Sequence, residues 1–298
     1  MDVVVTGSSG LIGTALLDEL RHAGHRPIRM VRTETAGGDA IRWDPDRGTI
    51  DAAGLEGVDA VVHLAGAGIG DRRWTPERKR LVRESRMRST ALLAETLARL
   101  QRPPKVLVTA SGINHYGDRG DAVLTEDEPP ATTFLARLVV DWEGATRPAA
   151  DAGIRVAFAR SGMVLSPRGG ALARMLPLFR FGLGGRFGNG RQYWSWISLP
   201  DEVRAFVFVL EHDMTGPVNF TAPEPVTNAQ FTKTLARVLR RPAVVPVPAF
   251  GPKLLVGAEL AQELLFTSAR IVPRKLLDAG FRFEHADLES ALRAVLDA

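Results

Sequence analysis

A chain of 298 residues without a single cysteine admits no disulfide, no zinc–thiolate site and no cysteine nucleophile. Hydrophobic residues at 45% and charged residues at 24% make an ordinary globular composition, and 29 Gly and 19 Pro scattered without a period exclude collagen-like structure and disorder. The net charge of +4 is mild, and no run of about 18 apolar residues is present to span a bilayer. Met1-Asp2-Val3-Val4-Val5 enters a strand at once, which leaves no room for a signal peptide and predicts a cytoplasmic protein.

In chain order, Val3–Val5 reads as a first strand, followed by glycines at 7, 10 and 13 and by Leu11, Ala15, Leu16 and Leu20 at helical spacing. Pro27–Val31 and Ala40–Trp43 read as strands two and three, and Asp59–Leu64 as a fourth. A long helix is predicted over Thr75–Leu100, stopped by Pro103-Pro104. Lys105–Ala110 follows as strand five, Phe134–Ala152 as a helix and Arg155–Ala159 as strand six. Continuous apolar strands with helices between them predict a doubly wound α/β fold, a parallel Rossmann sheet covered on both faces. After Leu165 glycines punctuate a loop-rich stretch, and helical patterns return at 201–211, 228–240, 252–265 and 287–296, with Pro242–Pro248 as an extended connector. Residues 1–165 are read as an NADP-binding domain and 166–298 as a smaller substrate-side lobe, part of which can thread back to complete the main sheet.

Gly7-Ser8-Ser9-Gly10-Leu11-Ile12-Gly13 stands directly after a strand and opens a helix. Glycines there let the backbone turn tightly against a pyrophosphate, while the helix N-terminus offers free N–H groups and the positive end of its dipole. Dinucleotide contacts are therefore expected from Gly7, Ser9, Gly10, Leu11, Ile12 and Gly13. An NAD site places an acid at the end of the second strand; this chain has Met30-Val31-Arg32-Thr33, with no acid before Glu34. Arg32 would pair with a 2′-phosphate, so NADP is the expected cofactor.

Arg72, Arg73, Arg78, Lys79, Arg80, Arg83, Arg86 and Arg88 crowd one segment against three acids. A nucleic-acid face is one reading; the other is a solvated helix with some arginines turned toward a phosphorylated ligand. No aromatic residues interleave the run as stacking platforms would require, so nucleic acid is not the expected partner.

These residues carry a resemblance. The glycine signature, His63-Leu64-Ala65-Gly66, and Ser111 with Tyr116-Gly117 resemble an extended short-chain dehydrogenase/reductase. Trp142-Glu143, Arg160–Leu165, Gly184–Gln192, Trp196-Ile197, Val218–Pro223, Pro225–Ala229 and Pro273–Leu277 extend the likeness over essentially the whole chain, to the atypical "epimerase family" with its own C-terminal domain. The resemblance implies an oxidoreductase or epimerase acting on a small molecule, with further cofactor contacts at Leu64, Ala65, Gly66, Arg86, Ala110 and Met163. Arg86 is placed near the cofactor phosphates, while Arg78 and Arg80 look solvated.

The family's Tyr-x-x-x-Lys pair, in which lysine lowers the tyrosine pKa for proton transfer, is missing. Anchored on Glu143, its positions hold Leu135 and Val139. Ser111, at the end of strand five, is a candidate donor to a developing oxyanion, Tyr116 a candidate acid and His115 beside it a group that titrates in the right range; the respective alternatives are a strand cap, a packed loop anchor and an exposed loop residue. The glycine-rich segment 182–190, with Arg186, Arg191 and the aromatics at 193, 194 and 196, suits a substrate-lobe loop; the other reading is that the aromatics are core and the glycines turns. Ser198-Leu199-Pro200-Asp201 stands where relatives carry a histidine and a second acid, which predicts the loss of a polar interaction near the sheet edge. Three functional classes follow: an NADP-dependent enzyme, an NADP-binding sensor or scaffold without turnover, and an RNA-binding relative.

Overall fold

The computed structural model describes residues 1–32, 40–243 and 245–297. β1 (Asp2–Thr6) leads into α1 (Leu11–His22), followed by β2 (Arg26–Val31), β3 (Ala40–Asp44), β4 (Thr49–Ile50) and β5 (Ala60–His63). α2 (Pro76–Ala98), β6 (Val106–Gly112), β7 (Val123–Leu124), α3 (Phe134–Gly144), α4 (Arg147–Asp151) and β8 (Arg155–Ser161) continue the alternation. Then come β9 (Met163–Leu165), α5 (Gly170–Arg180), β10 (Tyr193–Trp194), β11 (Trp196–Ser198), α6 (Leu199–Glu211), β12 (Gly216–Phe220) and β13 (Val226–Thr227). α7 (Asn228–Leu239), α8 (Phe250–Val256), α9 (Ala258–Ala261), a π turn at Gln262–Phe266, β14 (Arg270–Ile271), α10 (Arg274–Asp278) and α11 (Leu288–Asp297) close the chain.

The main sheet has eight strands in the order β12-β8-β6-β5-β1-β2-β3-β4, all parallel except the β3–β4 pair. Its pattern follows from the side-chain alternation of strands. Val3, Val5, Val62, Val106 and Val108 enter one core layer under α1 and α6, while Val4, Val61 and Leu107 enter the other with Leu93 and Leu97 of α2. Both faces are covered, which is why the strands read as unbroken apolar runs. Each fully buried valine contributes about 1.5–3 kcal/mol. No described helix is long and apolar enough to cross a membrane.

Two predicted helices are divided. Phe134–Ala152 breaks after Gly144, where the Thr146 hydroxyl donates to the Glu143 carbonyl at 2.7 Å and Pro148, the second residue of α4, has no N–H to continue the ladder. The predicted 252–265 helix breaks at Gly257, whose φ of +98° is not helical. The lobe after Leu165 packs its own core around Trp196, Phe231 and Leu292. In between, α6 and β12 return to the main sheet: β12 pairs in parallel with β8, from Gly216 opposite Ala157 to Phe220 opposite Ser161. Arg155 locks this return by donating to the carbonyls of Val209, Leu210 and Met214.

Candidate cofactor and catalytic site

The glycine turn lies at the C-terminal end of β1, in the middle of the sheet. Gly7 holds φ +64°, and a Cβ there would stand 2.8 Å from the Leu64 carbonyl carbon; a Cβ on Gly13 would stand 2.2 Å from the Gly7 carbonyl oxygen. Only glycine permits this approach of turn, helix and neighbouring strand end. Gly10 is the N-cap of α1, with no capping side chain and no acid in the first turn. The positive end of the helix thus has no counter-charge of its own there.

Thr6 ties the cradle to its neighbour. Its Oγ1 lies 2.8 Å from His63 Nδ1 and accepts from the Leu64 and Ala65 amides at 3.0 and 3.2 Å. The far ring nitrogen of His63 meets Thr90 and Ser89. Burial pushes the His63 pKa down to about 3, with the Arg86 charge acting in the same direction, so the imidazole is a neutral strut. Leu64, Ala65 and Gly66 consequently emerge at the sheet edge beside Ser9, Gly10, Leu11 and Ile12, and Ala110 and Met163 are partly open on the same edge. The Gly169 backbone lies against the Leu11 side chain, so the second lobe reaches over the first turn of α1.

Arg32, Trp43, Asp46, Ala65, Gly66, Ser85 and Arg88 line one cleft. Arg32 is largely exposed and 3.9 Å from Asp46; Arg88 makes a 3.0 Å pair with Glu84. Thr33 and Glu34 lie outside the described residues.

Arg86 is buried beneath the turn that follows β5. Its Nη1 donates to the carbonyls of Ala67 and Val82, its guanidinium lies 4.8 Å from the Trp142 ring centre, and its Nε has no hydrogen-bond partner among the described residues. Burial, reinforced by the Arg78 charge, lowers its pKa to about 10. Arg78 is not solvated as predicted: it donates to the Gly68 carbonyl at 2.5 Å, and its side chain is 14% exposed. The two arginines clamp the 66–68 turn because both project from one face of α2.

Ser111, Glu143, Arg160, Tyr116 and Asn219 form a single polar chain. The Ser111 hydroxyl donates to Glu143 Oε1 at 2.6 Å, and Arg160 donates to both Glu143 oxygens at 2.8 Å. Arg160 also donates to the Tyr116 hydroxyl at 3.0 Å, which donates to Asn219 Oδ1 at 2.6 Å. Tyr116 has no exposed surface, and burial pushes its pKa up to about 12 despite the Arg160 charge. A fully enclosed, fully bonded phenol cannot reach a substrate in this arrangement, which favours the packed loop anchor over the general acid at Tyr116. The expected donor role of Ser111 changes as well: with its proton committed to Glu143, its oxygen presents lone pairs. His115 is buried rather than exposed, 3.2 Å from the Glu128 carbonyl. Leu135 and Val139, at the family's Tyr and Lys positions, are 1% and 4% exposed and face the core.

The model of the NAD dependent epimerase/dehydratase family matches residues 3–221. The chain belongs to that family. A domain of unknown function, DUF1731, matches residues 247–295. An epimerase family protein of Mycobacterium leprae is 45% identical over 291 residues, covering 97% of this chain and 94% of that one. The crystal structure of the human epimerase family protein SDR39U1 with NADPH superposes with a TM-score of 0.91 at 35% identity, covering 100% of this chain and 99% of that one. A nucleoside-diphosphate sugar epimerase of Corynebacterium glutamicum, 36% identical, superposes with a TM-score of 0.81 over 99% of this chain and 58% of that one. The extended short-chain dehydrogenase/reductase resemblance and the Rossmann sheet are thereby established.

Within this family frame, the polar interaction expected to be absent near the sheet edge is present in another form. Asp201 is fully buried and accepts from Ser198 Oγ, Arg204 and the backbone amides of Glu284 and His285. Asp201, Glu284 and His285 come close enough to resemble a metal cluster, but both Asp201 oxygens are already taken by these donors. Glu143 and Arg160 lie in the motifs that carry the resemblance but are not among the residues expected at the site. The available signal was spacing: Leu135, Val139 and Glu143 are successive i,i+4 positions, so a carboxylate follows one turn beyond the vacant lysine position on the same helix face.

Proposed function

We propose that this chain binds NADP and uses it to oxidise or reduce a carbon–oxygen centre of a small molecule. The observation that carries the reading is the cradle in which Cβ atoms at Gly7 and Gly13 would collide with backbone, beside a helix N-terminus bare of capping side chains and acids. That donor set fits a pyrophosphate. Ser9, Gly10, Leu11, Ile12 and Gly13 would hold it, with Leu64, Ala65, Gly66, Ala110 and Met163 around the remainder; Arg32, with Arg88 nearby, would meet a 2′-phosphate. Arg86 would act from beneath, its buried charge reinforcing an anion site above the 66–68 turn. The human relative crystallised with NADPH supports the choice of NADP.

When bound, the cofactor takes or gives hydride. The chain's own contribution is a proton path. Ser111 Oγ accepts the proton of a substrate hydroxyl while its own proton passes to Glu143; in the opposite direction the same two transfers return a proton to the substrate oxygen. Arg160 holds the carboxylate in place through two hydrogen bonds. Arg186 and Arg191, in the glycine-rich loop, and the name of the Corynebacterium relative favour a phosphate-bearing substrate such as a nucleotide sugar. Calorimetric titration with NADPH and NADH, followed by a turnover screen over sugar nucleotides, alcohols and ketones, tests the proposal; failure to bind either dinucleotide sinks it.

The burial of Leu135 and Val139 favours a second reading, an NADP-binding sensor or scaffold without turnover. Tight NADPH binding with no turnover across that screen would select it.

A further inference from the structure

In the C-terminal lobe the segment 176–187 runs against 241–243 and 245–256. The Val247 amide donates to the Arg186 carbonyl at 2.8 Å, the Gly188 amide donates to the Val247 carbonyl at 3.0 Å, Phe187 bridges to Val247, and the Gly182 backbone lies against the Pro242 ring. Along this seam Leu178, Phe181, Leu183, Phe250, Leu254 and Leu255 all point outward; Phe181 and Leu255 are 81% and 80% exposed. Neither segment contains an aspartate or a glutamate. Arg180, Arg240 and Arg241 flank the apolar residues, exposed and without an ion pair among the described residues.

Grouped, protruding apolar side chains on a water-facing surface are costly and mark a contact site. A second copy meeting this face through a two-fold axis would set arginine against arginine. Side chains that project rather than line a groove suit a fluid medium, and unpaired cations beside them complement a negative surface. We propose that this face docks on an anionic lipid bilayer, with Phe181 and the outer side of α8 entering the headgroup layer and the three arginines meeting lipid phosphates. The lack of a membrane-spanning run in the sequence bears on crossing the bilayer and leaves attachment to its surface open.

The full chain is sedimented with vesicles of phosphatidylcholine alone and of phosphatidylcholine with an equal amount of phosphatidylglycerol. Binding should be at least about tenfold stronger to the anionic vesicles and should weaken with added salt. Phe181→Ser with Leu255→Ser, and separately Arg240→Glu with Arg241→Glu, should each reduce it at least about tenfold while leaving the melting temperature and NADPH affinity unchanged. No retention on anionic vesicles, equal retention on neutral ones, or undiminished binding of the serine variant overturns the proposal. So does a wild-type dimer in analytical ultracentrifugation that the serine variant dissociates, which would make the face a self-interface.

Discussion

The Ser111 hydroxyl hands its hydrogen to the Glu143 carboxylate across 2.6 Å, joining the end of β6 to the last turn of α3. A serine engaged in this way is an acceptor toward anything above it. In any substrate screen that yields turnover, Ser111→Ala should lower kcat by about 10²–10⁴. NADPH affinity, measured by titration, should stay within error. An alanine variant with full kcat would remove Ser111 from the chemistry.

Tyr116 should behave in the opposite manner. Tyr116→Phe deprives Asn219 of a donor and Arg160 of an acceptor in a buried site, so stability should drop by about 1–3 kcal/mol in denaturant unfolding. Turnover per folded molecule should not change. A large loss of kcat with stability intact would restore the tyrosine as an acid.

Arg32 at the mouth of its cleft predicts cofactor preference. NADPH should bind at least about tenfold more tightly than NADH, or roughly 1.4 kcal/mol. Arg32→Asp should erase or reverse the difference because a carboxylate repels the 2′-phosphate. Equal affinities in the wild-type chain, read by calorimetry, would refute the assignment.

Arg86 and Arg78 clamp the same turn with different burial. Arg86→Ala removes a buried charge beneath the expected anion site and should weaken NADPH binding by about 1–3 kcal/mol. Arg78→Ala loses its bond to Gly68 and should cost about 1 kcal/mol of stability with little change in affinity. Equal loss of affinity in both variants would mean that only general electrostatics is at work.

Glu202 supplies a pH signature. It is fully buried, accepts from the Ser161 hydroxyl at 2.6 Å, and burial raises its pKa to about 8. The folded chain therefore holds a proton that the unfolded chain releases near the ordinary carboxylate range, so this residue's contribution to stability declines as pH rises from about 4.5 to about 8. His63 acts with the opposite sign below about 6.5, its folded pKa being about 3. Between pH 6.5 and 8 the Glu202 effect should stand clear, and Glu202→Gln should flatten the fall by about 1–2 kcal/mol in paired unfolding curves. Parallel curves for the two proteins would show that Glu202 does not titrate in this range.

The sheet and the glycine turn were readable because period-two burial and backbone clearance leave direct marks on residue type: valines where both faces are covered, glycine where Gly13 would otherwise strike Gly7. The Ser111–Glu143–Arg160 chain was not readable, since its members come from β6, α3 and β8 and meet only after the strands are ordered. The same holds for Asp201, which besides Ser198 and Arg204 accepts from two amides more than eighty residues away. Tyr116 stayed open between an acid and a packed anchor because a motif position does not reveal burial. Arg78 misled because a charge run on a helix hides which members turn inward.

The pairing of β8 with a strand that begins at Gly216 has a consequence for biosynthesis. Residues 155–161 leave the ribosome well before their outer neighbour exists, and at about 5–20 residues per second that delay lasts several seconds. During it the nascent sheet has a naked, apolar border, Val156 and Ala157 included, able to recruit strands from neighbouring polysomes. Premature termination between the two strands would make that exposure permanent. Shortened products should accumulate as aggregates or as clients of chaperones, whatever the integrity of the glycine turn they carry.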